Sequence, residues 1–141
     1  MKKYVAAYGS AALLMLLFDV VWIGFVARDL YKQGIGHLMA ASPRLDAALL
    51  FYAVYALGLL VFVIAPQAQL RSSTWFSAMW RGALFGLVAY ATYDLTNLAT
   101  LRDWPLQVAL VDMAWGAFAS SCACLAGRTA WRWCAPRNPF A

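Results

Sequence analysis

Glutamate is absent from this chain, and histidine occurs once, at His37. Charge of either sign is scarce: 12% of the residues are Asp, Glu, Lys or Arg, against about 25% in an ordinary soluble domain. With 65% hydrophobic and 16% aromatic residues, that shortage excludes a water-soluble fold, and the chain reads as an integral membrane protein whose first partner is the lipid bilayer. A single histidine excludes a bis-histidine haem. No lysine falls inside an apolar run, which excludes a retinal Schiff base there. Nucleotide-binding glycine loops, nucleophile elbows and histidine-rich desaturase motifs are also missing, so the sequence names no cofactor. The 11 Lys and Arg residues leave a net charge of +5, but they are scattered between apolar runs rather than gathered on one face, and no nucleic acid is expected as a partner. Cysteine is confined to Cys122, Cys124 and Cys134. An odd number in one region gives no disulfide framework, and Cys-x-Cys on a helix points its thiols to different sides, so these read as small packing residues rather than as a metal site.

What is present is four long apolar runs. They predict an all-α protein, a four-transmembrane-helix bundle with helices at about 4–27, 44–65, 75–101 and 105–127. These form one domain over 1–127, followed by a basic, aromatic tail over 128–141 that lies at the membrane surface. Met1-Lys2-Lys3 resembles the start of a signal peptide, but the following run of about 24 residues is longer than a signal core, and Phe25 sits where cleavage needs a small residue. The connector 28–44 is polar enough to lie on a membrane surface, and Ser42-Pro43 is expected to cap the second helix. Pro66 is expected to end that helix. Gly82-x-x-x-Gly86 in the third lets another backbone approach, and Asp103-Trp104-Pro105 reads as the start of the fourth. Lys2, Lys3, Arg71, Arg81, Arg128, Arg132 and Arg137 fall on one side of this arrangement, and Arg28, Lys32, Arg44 and Arg102 on the other. That asymmetry places both termini in the cytoplasm. Trp75, Trp80, Trp104, Trp131 and Trp133 fall near the expected interfaces, as an aromatic belt does.

Against this background the stretch from Tyr93 to Trp115 stands out, because it places two carboxylates inside apolar sequence. Asp94 precedes Asp103 by nine residues and Asp112 follows it by nine. A tight turn at 101–105 therefore puts both acids at one depth, roughly 13 Å below the turn at about 1.5 Å per residue. A hydrocarbon layer is about 30 Å thick, and a charge within it costs about 2.5–3.5 kcal/mol or more. Asp19, past the middle of the first helix, falls at a similar level, so three of four helices each deliver one carboxylate to the outer half of the bilayer. Helical spacing adds partners: Tyr8, Ala12, Met15, Asp19 and Trp22 on one stripe, Tyr90, Asp94 and Asn97 on another, Asp112, Trp115 and Gly116 on a third. Tyr52 and Tyr55 of the second helix reach the same level. Trp22 and Trp115 each follow an acid by three residues, so each indole N–H has a carboxylate one turn away. Thr92, Thr96 and Thr100 are expected to bond back along their own helix. No basic residue is embedded at this level; Arg28 and Arg102 reach it only by bending inward. At least one of the acids is therefore expected to hold a proton at neutral pH unless a cation or a cationic group is bound.

The segments Leu17-Phe18-Asp19-Val20-Val21-Trp22-Ile23-Gly24, Arg81-Gly82-Ala83-Leu84-Phe85-Gly86, Ala91-Thr92-Tyr93-Asp94-Leu95-Thr96-Asn97-Leu98-Ala99-Thr100 and Val111-Asp112-Met113-Ala114-Trp115-Gly116 resemble the DUF2177 family of small bacterial membrane proteins. The resemblance runs from Met1 to about Gly127 and leaves out the basic tail. It implies a four-helix, multi-pass protein of the bacterial inner membrane with no agreed activity, and it highlights the same acids without supplying a mechanism.

Three functions are compatible with these residues. In the first, Asp19, Asp94 and Asp112, with Asn97, Tyr52, Tyr55, Tyr90, Trp22 and Trp115, bind or transport a proton, a cation or a cationic or lipid ligand. The three acids are then candidates for a hard metal ion such as Mg²⁺, Mn²⁺ or Ca²⁺, and a transporter this small is expected to form a homodimer or a larger membrane complex. In the second, the chain is an accessory or assembly subunit whose polar residues only bond helices together. In the third, it is a lipid-modifying enzyme in which one protonated Asp serves as general acid and an ionised one as base.

Overall fold

The computed structural model describes residues 1–70 and 72–135; Arg71 and residues 136–141, with Arg137 and the end of the expected tail, lie outside the described residues. The fold is all-α. Helix α1 (Lys2–Val21) continues through a π-helical turn (Trp22–Val26). A short α2 (Arg28–Ile35) and a 3₁₀ turn (Gly36–Leu38) form the connector. Helix α3 (Leu45–Leu59) passes through a second π turn (Leu60–Ile64) into α4 (Ala65–Gln69), and α5 (Trp75–Thr100) and α6 (Leu106–Cys134) complete the chain.

Three helical stretches, Lys2–Val26, Leu45–Gln69 and Leu106–Cys134, are long and apolar enough to cross a membrane, with mean hydropathies of 2.1, 2.5 and 1.6. Their surfaces fit that reading. Helix α1 buries a single stripe, Ala7, Ala11, Met15 and Asp19, one residue out of register with the expected Tyr8 and Ala12, while Val5, Leu13 and Phe25 are 70%, 58% and 79% exposed. A helix that is apolar almost all round yet buries only one narrow stripe is built for lipid on its remaining faces. Helix α5 is of similar length, but Arg81, Asp94 and Asn97 interrupt its apolar run.

Helix α6 is central, packing along both α5 and α1. The approach to α5 is close because the facing positions lack side chains. A Cβ on Gly82 would lie 2.7 Å from the Cys124 Cβ and 2.9 Å from the Ser120 carbonyl oxygen, and one on Gly86 would collide with the Gly116 carbonyl. The Gly82-x-x-x-Gly86 motif thus works as expected.

Helix ends depart from the expectations in four places. Pro66 does not end the second long helix, which runs to Gln69. A proline ring clashes with the carbonyl four residues back and leaves one bond unmade, and here the preceding π turn, in which the Ala65 N–H reaches the Leu60 carbonyl, absorbs that misfit. Ser42 and Pro43 do not cap α3: Arg44 holds the cap position without a side-chain bond. Asp103 gives α6 no cap either, since Pro105 occupies that position. The capped helix is α5, where Thr74 Oγ1 accepts from the Ser77 N–H and Ser77 Oγ from the Thr74 N–H, at 3.0 and 3.2 Å. The last helix runs past Gly127 to Cys134. Arg128, expected in a surface tail, is fully buried, donating through Nη2 to the Ser73 carbonyl at 2.6 Å with its guanidinium 5.2 Å from the Trp75 ring. Trp104 and Trp131 are also buried, at 7% and 3% exposure, so they pack inside the protein instead of joining the exposed Trp75, Trp80 and Trp133.

Candidate functional site

The end of the molecule that carries the connector and the 101–105 turn holds a cavity of about 400 Å³. All four long helices, the connector and the 101–105 turn bring side chains to it. The π turn after α1 aims Trp22 and Ile23 at it, α2 brings Tyr31, α3 Phe51 and Tyr52, α5 Tyr90 and Tyr93, and α6 Asp112 and Trp115; Asp19 and Trp104 complete the polar and aromatic wall. Ile23, Met39, Phe51 and Tyr93 line it and are 42–58% exposed, so the cavity opens to the surface between these segments. Helix α2 is held over α6 by Gly34, where a Cβ would lie 2.9 Å from Val108 Cγ2.

The two carboxylates in the wall are bonded across helices. Asp19 is 4% exposed; its Oδ1 accepts from Trp115 Nε1 at 2.8 Å and its Oδ2 from the Tyr52 hydroxyl at 3.1 Å. Asp112 Oδ1 accepts from the Tyr31 hydroxyl, which in turn accepts from Trp22 Nε1 at 2.9 Å. The Trp22 and Trp115 rings stack at 4.2 Å and 4°. Each tryptophan thus serves the other chain of bonds, not the acid three residues before it. The partners are set by packing between elements, Trp115 of α6 meeting Asp19 of α1 and Trp22 meeting Tyr31 of α2. Burial holds the Tyr31 phenol well above its ordinary pKa, with the bond to Asp112 adding to the effect, so Tyr31 stays a donor throughout the neutral range. The wall contains no Lys, Arg or His, and among the described residues the sole ion pair is the exposed Arg44–Asp46 contact at 2.7 Å.

Of the residues expected to form the site, Asp19, Trp22, Tyr52, Tyr90, Asp112 and Trp115 line the cavity, whereas Asp94, Asn97 and Tyr55 do not. Asp94 has no exposed surface, and neither of its oxygens has a hydrogen-bond partner. The Trp104 indole approaches it but is itself unpartnered at Nε1. Tyr55 is turned toward α6 and shares a 2.7 Å bond with Ser120 Oγ. Among the described residues no group of three or more His, Cys, Asp or Glu side chains is arranged to hold a metal ion, so Asp19, Asp94 and Asp112 do not form one metal cluster. Thr92, Thr96 and Thr100 bond back to the carbonyls of Val88, Thr92 and Thr96 at 2.8, 2.5 and 2.8 Å.

Ile23, Tyr31, Ile35, Met39, Ala48, Phe51, Tyr93 and Trp104 complete the cavity without having been expected there. Leu30, Tyr31 and Ile35 pack with Leu98 against Trp104, Val108 and Ala109, and the i, i+4 spacing of Tyr31 and Ile35 was the available sign that the connector has an inward apolar face.

Fold and surface together define an all-helical membrane protein with an acid-bearing aromatic cavity at one end. The chain belongs to the DUF2177 family, described as a predicted membrane protein, whose model matches residues 4–129. No curated protein and no solved structure matches it.

Proposed function

We propose that this protein binds a cationic ligand group in the cavity between Asp19 and Asp112. In this reading four helices cross the bacterial inner membrane with both termini cytoplasmic, and the cavity lies in the outer half of the bilayer. The observation that carries it is the composition of the wall: two buried carboxylates and eight aromatic rings with no basic side chain. Carboxylates without a counter-cation favour a positive ligand, and a cation over a ring face gains about 0.5–1 kcal/mol where exposed and about 2 kcal/mol where desolvated. A volume of about 400 Å³ falls within the usual range for small-ligand sites, roughly 300–1,000 Å³.

The test is the unfolding midpoint in mild detergent against increasing tetraalkylammonium or alkylammonium chloride, with potassium chloride at equal ionic strength as reference. A ligand bound only by the folded state stabilises by RT ln(1 + [L]/Kd). Saturable stabilisation of wild type that is lost in Asp112→Asn supports the reading; equal effects of potassium and every ammonium salt overturn it.

One observation favours a second reading, that of an accessory subunit. Asp19 ties α1 to α3 and α6 through Tyr52 and Trp115, as a purely structural hydrogen-bond hub does. That reading expects no stabilisation by any ammonium salt, and it expects a partner protein to co-purify stoichiometrically.

A further inference from the structure

Which cation fits is decided by the acceptors left open in the wall, and the argument rests on the cationic-ligand reading above. Both oxygens of Asp19 already receive an aromatic donor, from Trp115 and Tyr52, and Asp112 Oδ1 receives Tyr31. Asp112 Oδ2 takes no bond among the described residues and is not one of the fully enclosed, unpartnered atoms. It is the carboxylate oxygen of the wall left open to a ligand. The Tyr90 hydroxyl, also in the wall, is likewise neither bonded nor enclosed. The rest of the surface a ligand meets is ring faces, the exposed Tyr93 hydroxyl and the apolar groups of Ile23, Ile35, Met39 and Ala48.

A primary ammonium brings three N–H donors, and each one that loses its water on entry without gaining an acceptor weakens binding about five- to 150-fold. The wall is mainly ring faces, with the Asp112 Oδ2, Tyr90 and Tyr93 oxygens its open acceptors, so an N–H turned toward a ring gains no partner. A quaternary ammonium has no N–H to satisfy; its charge is spread over methyl groups that suit ring faces, the arrangement by which aromatic cages select such ligands. We infer that the cavity selects a quaternary ammonium group over a primary one, its charge held by Asp112 and its methyl groups by the surrounding rings.

The group can arrive free in solution or on a lipid. A second, apolar cavity of about 450 Å³ shares Phe51, Tyr90 and Tyr93 with the first, offering space for hydrocarbon, and Arg28, Lys32 and Arg102 on the connector and turn at the same end are exposed, offering charge for a phosphate. The experiment therefore has four arms. Purified full-length protein in nanodiscs of phosphatidylglycerol is titrated with choline, with ethanolamine, with a short-chain phosphocholine lipid and with the matching phosphoethanolamine lipid. The emission of the tryptophans is followed, three of which, Trp22, Trp104 and Trp115, line the cavity.

The expected result is saturable binding of a choline compound at least fivefold tighter than its ethanolamine counterpart, weakened tenfold or more by Asp112→Asn. Selectivity shown by both pairs, or by the soluble pair alone, supports the inference with the free cation as the source; selectivity in the lipid pair alone supports it with a headgroup as the source. Ethanolamine binding as tightly as choline, and still dependent on Asp112, overturns the selectivity while leaving the cationic-ligand reading standing. Silence in all four arms from correctly folded protein overturns both.

Discussion

Replacing Asp94 and Asp19 by asparagine, one at a time, asks the same chemical question of two buried acids whose surroundings differ, and the structure requires opposite answers. Asp94 is fully enclosed and neither oxygen makes a well-formed hydrogen bond, the Trp104 indole approaching it without completing one. An unmatched buried polar group costs about 1–3 kcal/mol, more if it is charged. Asparagine keeps the volume, cannot ionise, and adds an amide N–H whose own desolvation cancels part of the gain, so Asp94→Asn is expected to lie between neutral and about 2 kcal/mol more stable than wild type. Asp19 is the reverse case. Its two oxygens accept from an indole at 2.8 Å and a phenol at 3.1 Å. An amide accepts through one atom only, so one donor is left facing an NH₂ group, and Asp19→Asn is expected to lose about 1–3 kcal/mol. Reversible unfolding in mixed micelles, followed by far-UV circular dichroism at neutral pH, reads both. Destabilisation of Asp94→Asn as large as that of Asp19→Asn refutes the reasoning, because it means that Asp94 has a partner in the folded protein.

Further consequences concern packing and titration. Tyr31→Phe removes the donor to Asp112 and is expected to cost about 1 kcal/mol. Because the folded phenol titrates above its ordinary pKa, its stabilisation is complete below about pH 10 and declines as pH rises beyond it, so the fall of the unfolding midpoint at alkaline pH is shallower in the variant than in wild type. Gly116→Ala places a methyl against the Tyr90 ring; overpacking of this kind costs about 1–3 kcal/mol, and since Tyr90 lines the cavity, ammonium binding weakens as well, which calorimetric titration measures. Arg128→Met deletes the bond to the Ser73 carbonyl and the contact over Trp75, and a loss of about 1–3 kcal/mol is expected, with a change in Trp75 emission.

Hydrophobic run length made the long helices legible, since a run that is apolar on all sides has few alternatives to a membrane helix. The acids were legible because a carboxylate in such a run is rare, and Asp19 and Asp112 do share one cavity wall. Asp94 illustrates where spacing stops being informative: equal distance from the turn says how far along α5 it lies, but not that it is enclosed behind the wall instead of facing the cavity. The tryptophan bonds were misassigned for a related reason. Spacing within one helix offered each indole its own acid, whereas Trp115 reaches Asp19 on α1 and Trp22 reaches Tyr31 on α2, partners fixed only once the helices pack. Tyr31 itself sits in a stretch polar enough to read as a surface connector; its spacing from Ile35 hints at an inward face, but what that face meets is fixed only where Gly34 brings α2 onto Val108.

The most direct measurement is equilibrium binding, by calorimetry on the wild-type protein, of choline and of 3,3-dimethylbutan-1-ol, its uncharged carbon counterpart of the same shape. A cavity whose carboxylates hold a cation binds choline and binds the alcohol at least tenfold more weakly, a difference of about 1.4 kcal/mol. Equal affinity for the two would mean that apolar rings alone do the binding, and would contradict the assignment of Asp19 and Asp112 to a cationic ligand.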